Sequence, residues 1–400
     1  MSLFNRIRLK LHNFDWEILF ILLLVVSGLS SFVVQIISTG LPLYCIDIGK
    51  TTAQAGIFAG FYSAAVILSR PFVGKWCDEK GKYRIAIIGI IVFMLSVACL
   101  CFNSFFSFFP LFQAIEGLGF SALSTALAAL LIDILPHSSI VRGIGLFTVI
   151  KSLSISLGAS FAVSFADKFG VSNIFVCSLV ICLIAFITII PLRRCKKYSF
   201  QQTKENVAVN NNDYKGLDKY IEKSAIPICL VQFIFTFALT LGTSYLPSYA
   251  QSIDLSGISI YYTVSALTMF LSRTVLSKLF EKINAEKSFI FGMILASITT
   301  IAIILVKDLW AFVVISLFNA IGISLINPTL NVKATANVDI NRRGVASSTY
   351  YGFLDLGSGA GSMIWGILIP IIDYKLSFII ATTLLVFNFF YGLYIFKERE

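Results

Sequence analysis

Gly74-Lys75-Trp76-Cys77-Asp78-Glu79-Lys80-Gly81-Lys82-Tyr83-Arg84 is a short hydrophilic break between two long apolar stretches, 52–73 and 84–102. Glycines at 74 and 81 allow close backbone approach and a tight turn. The break returns in weakened form further along. Ser69-Arg70-Pro71 to Arg84 aligns with Ser272-Arg273-Thr274 to Lys287 at a constant offset of 203, which is 272 minus 69. Arg70 pairs with Arg273, Lys75 with Lys278, Asp78 with Glu281, Arg84 with Lys287 and Gly89 with Gly292. Other echoes keep the same order: Leu41-Pro42-x-Tyr44 with Leu246-Pro247-x-Tyr249, Leu111 to Ile115 with Leu317 to Ile321, and Arg142-Gly143 with Arg343-Gly344. Each is weak alone, but together they point to an internal duplication.

The composition sets the solvent. Of the 400 residues, 57% are hydrophobic and 13% are charged. A soluble domain is about 45–50% apolar and about 25% charged, so most of this surface cannot face water. Apolar runs of about 20 residues are long enough to cross a bilayer core of about 30 Å. Twelve such spans are expected, at 16–40, 52–73, 84–102, 108–132, 143–165, 171–192, 225–247, 257–276, 288–305, 309–331, 344–366 and 376–396. They give an all-α polytopic bundle in three parts: a six-helix half over 1–192, a linker over 193–224 and a second half over 225–400. The apolar run after Trp16 is too long for a cleaved signal peptide and reads as a retained first helix.

The net charge of +10 raises the question of nucleic acid. Its distribution answers it. Outer loops hold only Lys50, Lys168, Lys307 and Lys375, while Arg70, Lys151 and Arg273 lie within spans or at their ends. The remaining basic residues fall on segments assigned to the inside, the bias that orients an inner-membrane protein, with both termini in the cytoplasm. They are topological signals that touch anionic lipid, and no nucleic-acid partner is expected. The eight cysteines are scattered without Cys-x-x-Cys and only two histidines exist, so no metal or other cofactor is expected.

Over nearly its whole length the chain resembles the major facilitator superfamily. The Gly74–Arg84 run matches that superfamily's signature between helices 2 and 3. Arg70-Pro71-x-x-Gly74, Leu131-Ile132-Asp133-x-Leu135-Pro136 and Asp355-x-Gly357-x-x-x-Gly361 are similar to its bacterial efflux-permease branch, which includes drug and metallophore exporters. The resemblance implies two six-helix halves in the cytoplasmic membrane and a conformational latch in which Asp78 pairs across the half-to-half interface. Gly74, Gly81, Arg84, Arg70, Arg273 and Glu281 belong with that latch. Two departures bear on mechanism. Helix 4 reads Gln113-Ala-Ile-Glu116-Gly117 where the family often has Arg-x-x-Gln-Gly, and Gly158-Ala159 stands where antiporters of this group often carry Gly-Pro.

Only two acids, Glu116 and Asp355, lie deep within spans. They sit roughly 12 Å and 16 Å from the nearer span ends at about 1.5 Å per residue. A charge at such depth is costly and usually functional. A carboxyl group there can hold a proton and release it when water or a base approaches, so these are the proton-coupling candidates. Lys151 is the only deep base. It suits either an anionic substrate group or a helix-locking pair with Glu116. Gln35, Gln113, Gln232, Asn319, Asn327 and Tyr351 are further candidates for the substrate pathway, with interhelical hydrogen bonding as the alternative.

These features predict a monomeric secondary transporter without enzymatic chemistry. It works by alternating access and exports a small anionic or zwitterionic molecule, siderophore, metallophore or drug, against protons. Proton-coupled uptake of a metabolite on the same fold is the competing reading. A membrane receptor or embedded enzyme would need a soluble domain or a catalytic cluster.

Overall fold

A backbone in hydrocarbon must satisfy its hydrogen bonds within its own segment, so the long apolar runs become helices. The computed structural model describes residues 3–135, 140–195, 221–274, 284–336, 338 and 343–398. Among them every long element is an α-helix: α1 Leu3–Asp47, α2 Thr52–Lys80, α3 Lys82–Leu100, α4 Phe109–Ile134, α5 Ile140–Phe169 and α6 Asn173–Ile189, then α7 Ile226–Ser252, α8 Ser259–Thr274, α9 Ala285–Leu305 and α10 Leu309–Ala336. A last continuous run, Arg343–Glu398, is interrupted by non-helical backbone at Asp373, φ 70°, which separates α11 (343–372) from α12 (374–398). Among the described residues ten segments are long and apolar enough to cross a membrane, with 345–397, which holds α11 and α12, counted as one and α8, whose described part has 16 residues, not among them.

Local chemistry sets the ends. Pro110 and Pro227 occupy the first turns of α4 and α7, where the missing N–H costs nothing. Asp308 caps α10 by accepting from Trp310 N at 3.0 Å and Ala311 N at 3.2 Å. The Gly74–Lys80 stretch, expected to be a loop, is instead the last two turns of α2. No residue there breaks a helix. The chain turns only at Gly81, whose φ of 93° is open to glycine, and α3 begins one residue later. Asp78 therefore lies on α2 rather than beyond it.

The duplication is visible in the packing. An added Cβ at Gly89 would lie 2.5 Å from Leu123 N on α4, and one at Gly292 would lie 2.6 Å from Ile326 Cγ1 on α10. These small residues bring α3 against α4 and α9 against α10, each partner helix answering with its own glycine, Gly119 and Gly322. Gly158 on α5 meets the Phe32 carbonyl of α1, and Gly361 on α11 meets the Phe237 carbonyl of α7, both with a would-be Cβ at 2.8 Å. The repeated Leu-Pro-x-Tyr motif carries a buried tyrosine at each site. Tyr44 stacks on Phe109 and meets Phe175 edge-on at 5.1 Å, while Tyr249 packs on Tyr374 and Phe378 at 5.6 and 5.7 Å.

Two seams join the halves. On α2 and α11, Gly56 and Gly60 pack against Gly366 and Met363, Ser63 meets Gly359, and Thr52 Oγ1 donates to the Gly366 carbonyl at 3.4 Å. On α5 and α8, Ser160 Oγ donates to the Ser259 carbonyl at 2.9 Å and shares a 2.5 Å hydrogen bond with Thr263, and Ser156 lies 3.4 Å from Met269 Sδ. The offset of 203 maps Gly56 and Gly60 onto Ser259 and Thr263, and Ser160 onto Met363. One seam is thus steric, and its counterpart is closed by hydroxyls. Both lie toward the end of the bundle that carries loops 48–51 and 253–258. Further along, Gly74 and Gly352 would each carry a Cβ with no atom within 4 Å. Among the described residues Gly74 makes no close helix contact in this conformation.

Candidate functional site

Arg70 on α2 forms an ion pair with Asp355 on α11, each side chain 31% exposed. It is the innermost rung observed on the α2–α11 seam, 18 residues along α2 from Thr52 and 12 along α11 from Arg343. Arg70 Nη2 meets Asp355 Oδ2, while the buried Arg70 Nε has no hydrogen-bond acceptor. The structure thereby joins two residues that sequence reading had placed in separate roles.

Lys151 on α5 is half-buried with its ammonium 5.6 Å from the centre of the Phe147 ring. It lies within electrostatic reach of both Asp355 and Arg70, yet takes part in none of the ion pairs found among the described residues. Tyr62 of α2, a residue that sequence reading missed, lies within reach of Glu116, Asp355 and Arg70. Its backbone carbonyl is held against Gly117 of α4. Nothing in the sequence marks Tyr62, since tyrosine is common in membrane helices.

Glu116 is buried on α4 and accepts from Gln113 Nε2 at 2.6 Å. This is an i,i+3 pair within one helix. The alternative of a Glu116–Lys151 lock is not what forms: Glu116 is satisfied by its own helix. Of the polar candidates, Gln35 donates to Thr39 Oγ1 one turn on at 2.9 Å. Gln232 donates to Asn327 Oδ1 at 3.2 Å, and Tyr350 Oη joins Gln232 Oε1 and the Asn327 carbonyl at 2.9 Å each. That closed knot ties α7, α10 and α11 together. Asn319 donates to Thr299 Oγ1 at 3.0 Å, pinning α10 to α9. These three amides are committed to helix packing, because a buried amide without a partner is expensive. Tyr351, one turn before Asp355, accepts from Asn331 Nδ2 at 3.2 Å and is half-buried.

Next to the expected latch residue Gly81, Lys82 pairs with the end of α4. Lys82 Nζ meets Asp133 Oδ1 at 2.6 Å and the Ala129 carbonyl at 3.4 Å, tying the start of α3 to the end of α4. Arg84 is exposed, its N–H donating to the Gly81 carbonyl. The side chains of Asp78 and Arg273, and all of Glu281, lie outside the described residues.

Two sets of long apolar helices, α1–α6 and α7–α12, joined along two seams with the Arg70–Asp355 pair between them, make a polytopic membrane protein. The family model of the Major Facilitator Superfamily matches residues 23–307 and 228–400, and the chain belongs to that family. It is 24% identical over 343 residues to the quinolone resistance protein NorA of Staphylococcus aureus (strain MRSA252), covering 83% of this chain and 84% of that protein. It is 21% identical over 369 residues to multidrug resistance protein 2 of Bacillus subtilis (strain 168), covering 88% and 89%. Among solved structures it is similar to the human organic anion transporter MFSD10 (TM-score 0.66, 14% identity, 94% and 99% covered). It is also similar to the nucleoside transporter NupG (TM-score 0.71, 13% identity, 93% and 98% covered). At such identities these structures speak for the fold alone.

Proposed function

We propose that this protein is a proton-coupled exporter of small organic molecules carrying an anionic group, anionic or zwitterionic overall, and that it works by alternating access. It sits in a bacterial cytoplasmic membrane with both termini inside. The halves over 1–192 and 225–400 rock about the central site, and 193–224 links them. The end carrying loops 48–51 and 253–258 is the outer one, so the conformation described is closed to the outside. Likeness over most of the chain to a quinolone resistance protein and a multidrug resistance protein favours efflux.

The observation that carries the reading is the Arg70–Asp355 pair bridging the halves beside an unpaired Lys151. Asp355 and Glu116 are the proton sites: Asp355 touches the seam that must open, and Glu116 is buried with one amide partner. Lys151 takes the substrate's anionic group, and Gln35 and Gln113 are assigned to the polar lining of the pathway. Asp78, Gly81, Arg84 and Glu281 act at the inner ends as the latch of the opposite conformation.

The test is transport in proteoliposomes with an imposed pH gradient and a quinolone, norfloxacin, as the probe. Accumulation in inside-out vesicles with an acidic lumen, lost in Glu116→Gln and Asp355→Asn, supports the reading. Accumulation in right-side-out vesicles driven by external acid would establish uptake by symport instead.

A further inference from the structure

This inference rests on the reading that an anionic group is held at the centre of the bundle. Two charged side chains pair on the α2–α11 seam, Arg70 and Asp355, and a third, Lys151, lies within their electrostatic reach. Two are cations and one is an anion. Glu116 joins none of the ion pairs among the described residues, and while it carries the proton assigned to it above it adds no negative charge. An excess cation in a partly buried site is costly, and an anion relieves the cost.

The shape of the pair supplies a second observation. A guanidinium presents five donors in a planar fork that matches both oxygens of a carboxylate. Asp355 Oδ2 meets one terminal nitrogen, and among the described residues the buried Nε has no acceptor.

We infer that Arg70 and Lys151 form a two-cation site for the carboxylate of an organic ligand, and that Asp355 masks Arg70 in the empty site. The ligand's carboxylate and Asp355 compete for one guanidinium. Binding the ligand releases Asp355, and with it the ion pair that bridges the halves. Substrate occupancy and the closed seam are thereby mutually opposed.

The experiment uses full-length protein in lipid nanodiscs and measures binding of norfloxacin, a carboxylate, and of its ethyl ester, which lacks that charge, by ligand fluorescence anisotropy. Wild type should bind the acid about tenfold tighter than the ester, Asp355→Asn should tighten acid binding by about fivefold or more without moving the ester, and Arg70→Gln should weaken the acid by about tenfold. The double variant should match Arg70→Gln, because the mask matters only while Arg70 is present. Arg70→Lys, which keeps the cation, should retain the preference for the acid and covers the case in which Arg70→Gln is poorly folded. If Asp355→Asn leaves acid affinity unchanged while Lys151→Met abolishes the preference, the masking inference fails and the anion reading stands. If wild type shows no preference and Lys151→Met changes nothing, both fail. If chloride in place of methanesulfonate, which has no carboxylate, displaces the acid, and more strongly in Asp355→Asn, the site takes small inorganic anions and the organic assignment is overturned.

Discussion

On the alternating-access reading proposed above, replacing Gly56 by alanine should shift the balance between the outer-closed and outer-open conformations without touching a charge. The added Cβ would lie 2.8 Å from Gly366 Cα, 2.9 Å from the Met363 carbonyl oxygen and 3.1 Å from the Ser362 carbonyl oxygen. All three neighbours are backbone atoms and cannot rotate away. Ordinary carbon contacts lie at about 3.5–4.0 Å, so α2 and α11 must part by somewhat under 1 Å. Overpacking of this kind costs about 1–3 kcal/mol. Alanine also favours the helix over glycine by about 1 kcal/mol, but that gain applies in both conformations and cancels between them. The ratio of outer-closed to outer-open molecules should therefore fall by about 5- to 150-fold. Gly74→Ala is the matched control, since its Cβ would meet nothing within 4 Å. Spin labels at Lys50 and Ser256, exposed positions on opposite halves at the outer end, report the distance by double electron–electron resonance. A Gly56→Ala distribution that superimposes on both wild type and Gly74→Ala would refute the argument that this glycine contact sets the closed state.

Tyr350→Phe strips a hydroxyl from Gln232 and the Asn327 carbonyl, and should destabilise the protein by about 1–3 kcal/mol, read as a lower unfolding temperature in detergent. Lys82→Met leaves the Asp133 carboxylate without its cation and should cost a similar amount, about 1–3 kcal/mol, in the same melting assay. Lys82→Met combined with Asp133→Asn should recover most of that loss, since the uncompensated charge is then gone. Ser160→Ala removes two hydrogen bonds of the α5–α8 seam and should raise labelling of a cysteine at the outer end, whereas Ser124→Ala, away from the seam, should not.

The spans and the duplication were legible because hydrocarbon imposes length and apolarity on every crossing segment. Gly89 and Gly292, matched as letters, prove to be matched close approaches. The Gly56-x-x-x-Gly60 spacing offered a helix-packing signal on α2 that the reading of the polar break overshadowed. The Gln113–Glu116 contact was available from its i,i+3 spacing. The Arg70–Asp355 pair was not, because local patterning carries no information about which of several helices will face one another. Nor could a sequence separate amides that line a pathway from Gln232, Asn327 and Asn319, whose partners lie on other helices. The end of α2 was misread for a different reason. Polarity marks where a helix leaves the bilayer, not where it stops, and only Gly81 stops this one.

The junction at Asp373 has a mechanical consequence. A single residue off helical geometry joins α11, which lines the seam between the halves, to α12, whose Phe387 and Phe390 face outward. With no slack between them, α11 cannot tilt without carrying α12 through the surrounding lipid. The work of switching then includes an elastic term from the bilayer, of the order of fractions of a kcal/mol for each ångström of mismatch. Turnover in this protein should accordingly follow the acyl-chain length of the host membrane, and a flexible insertion after Asp373 would be the way to disengage the two.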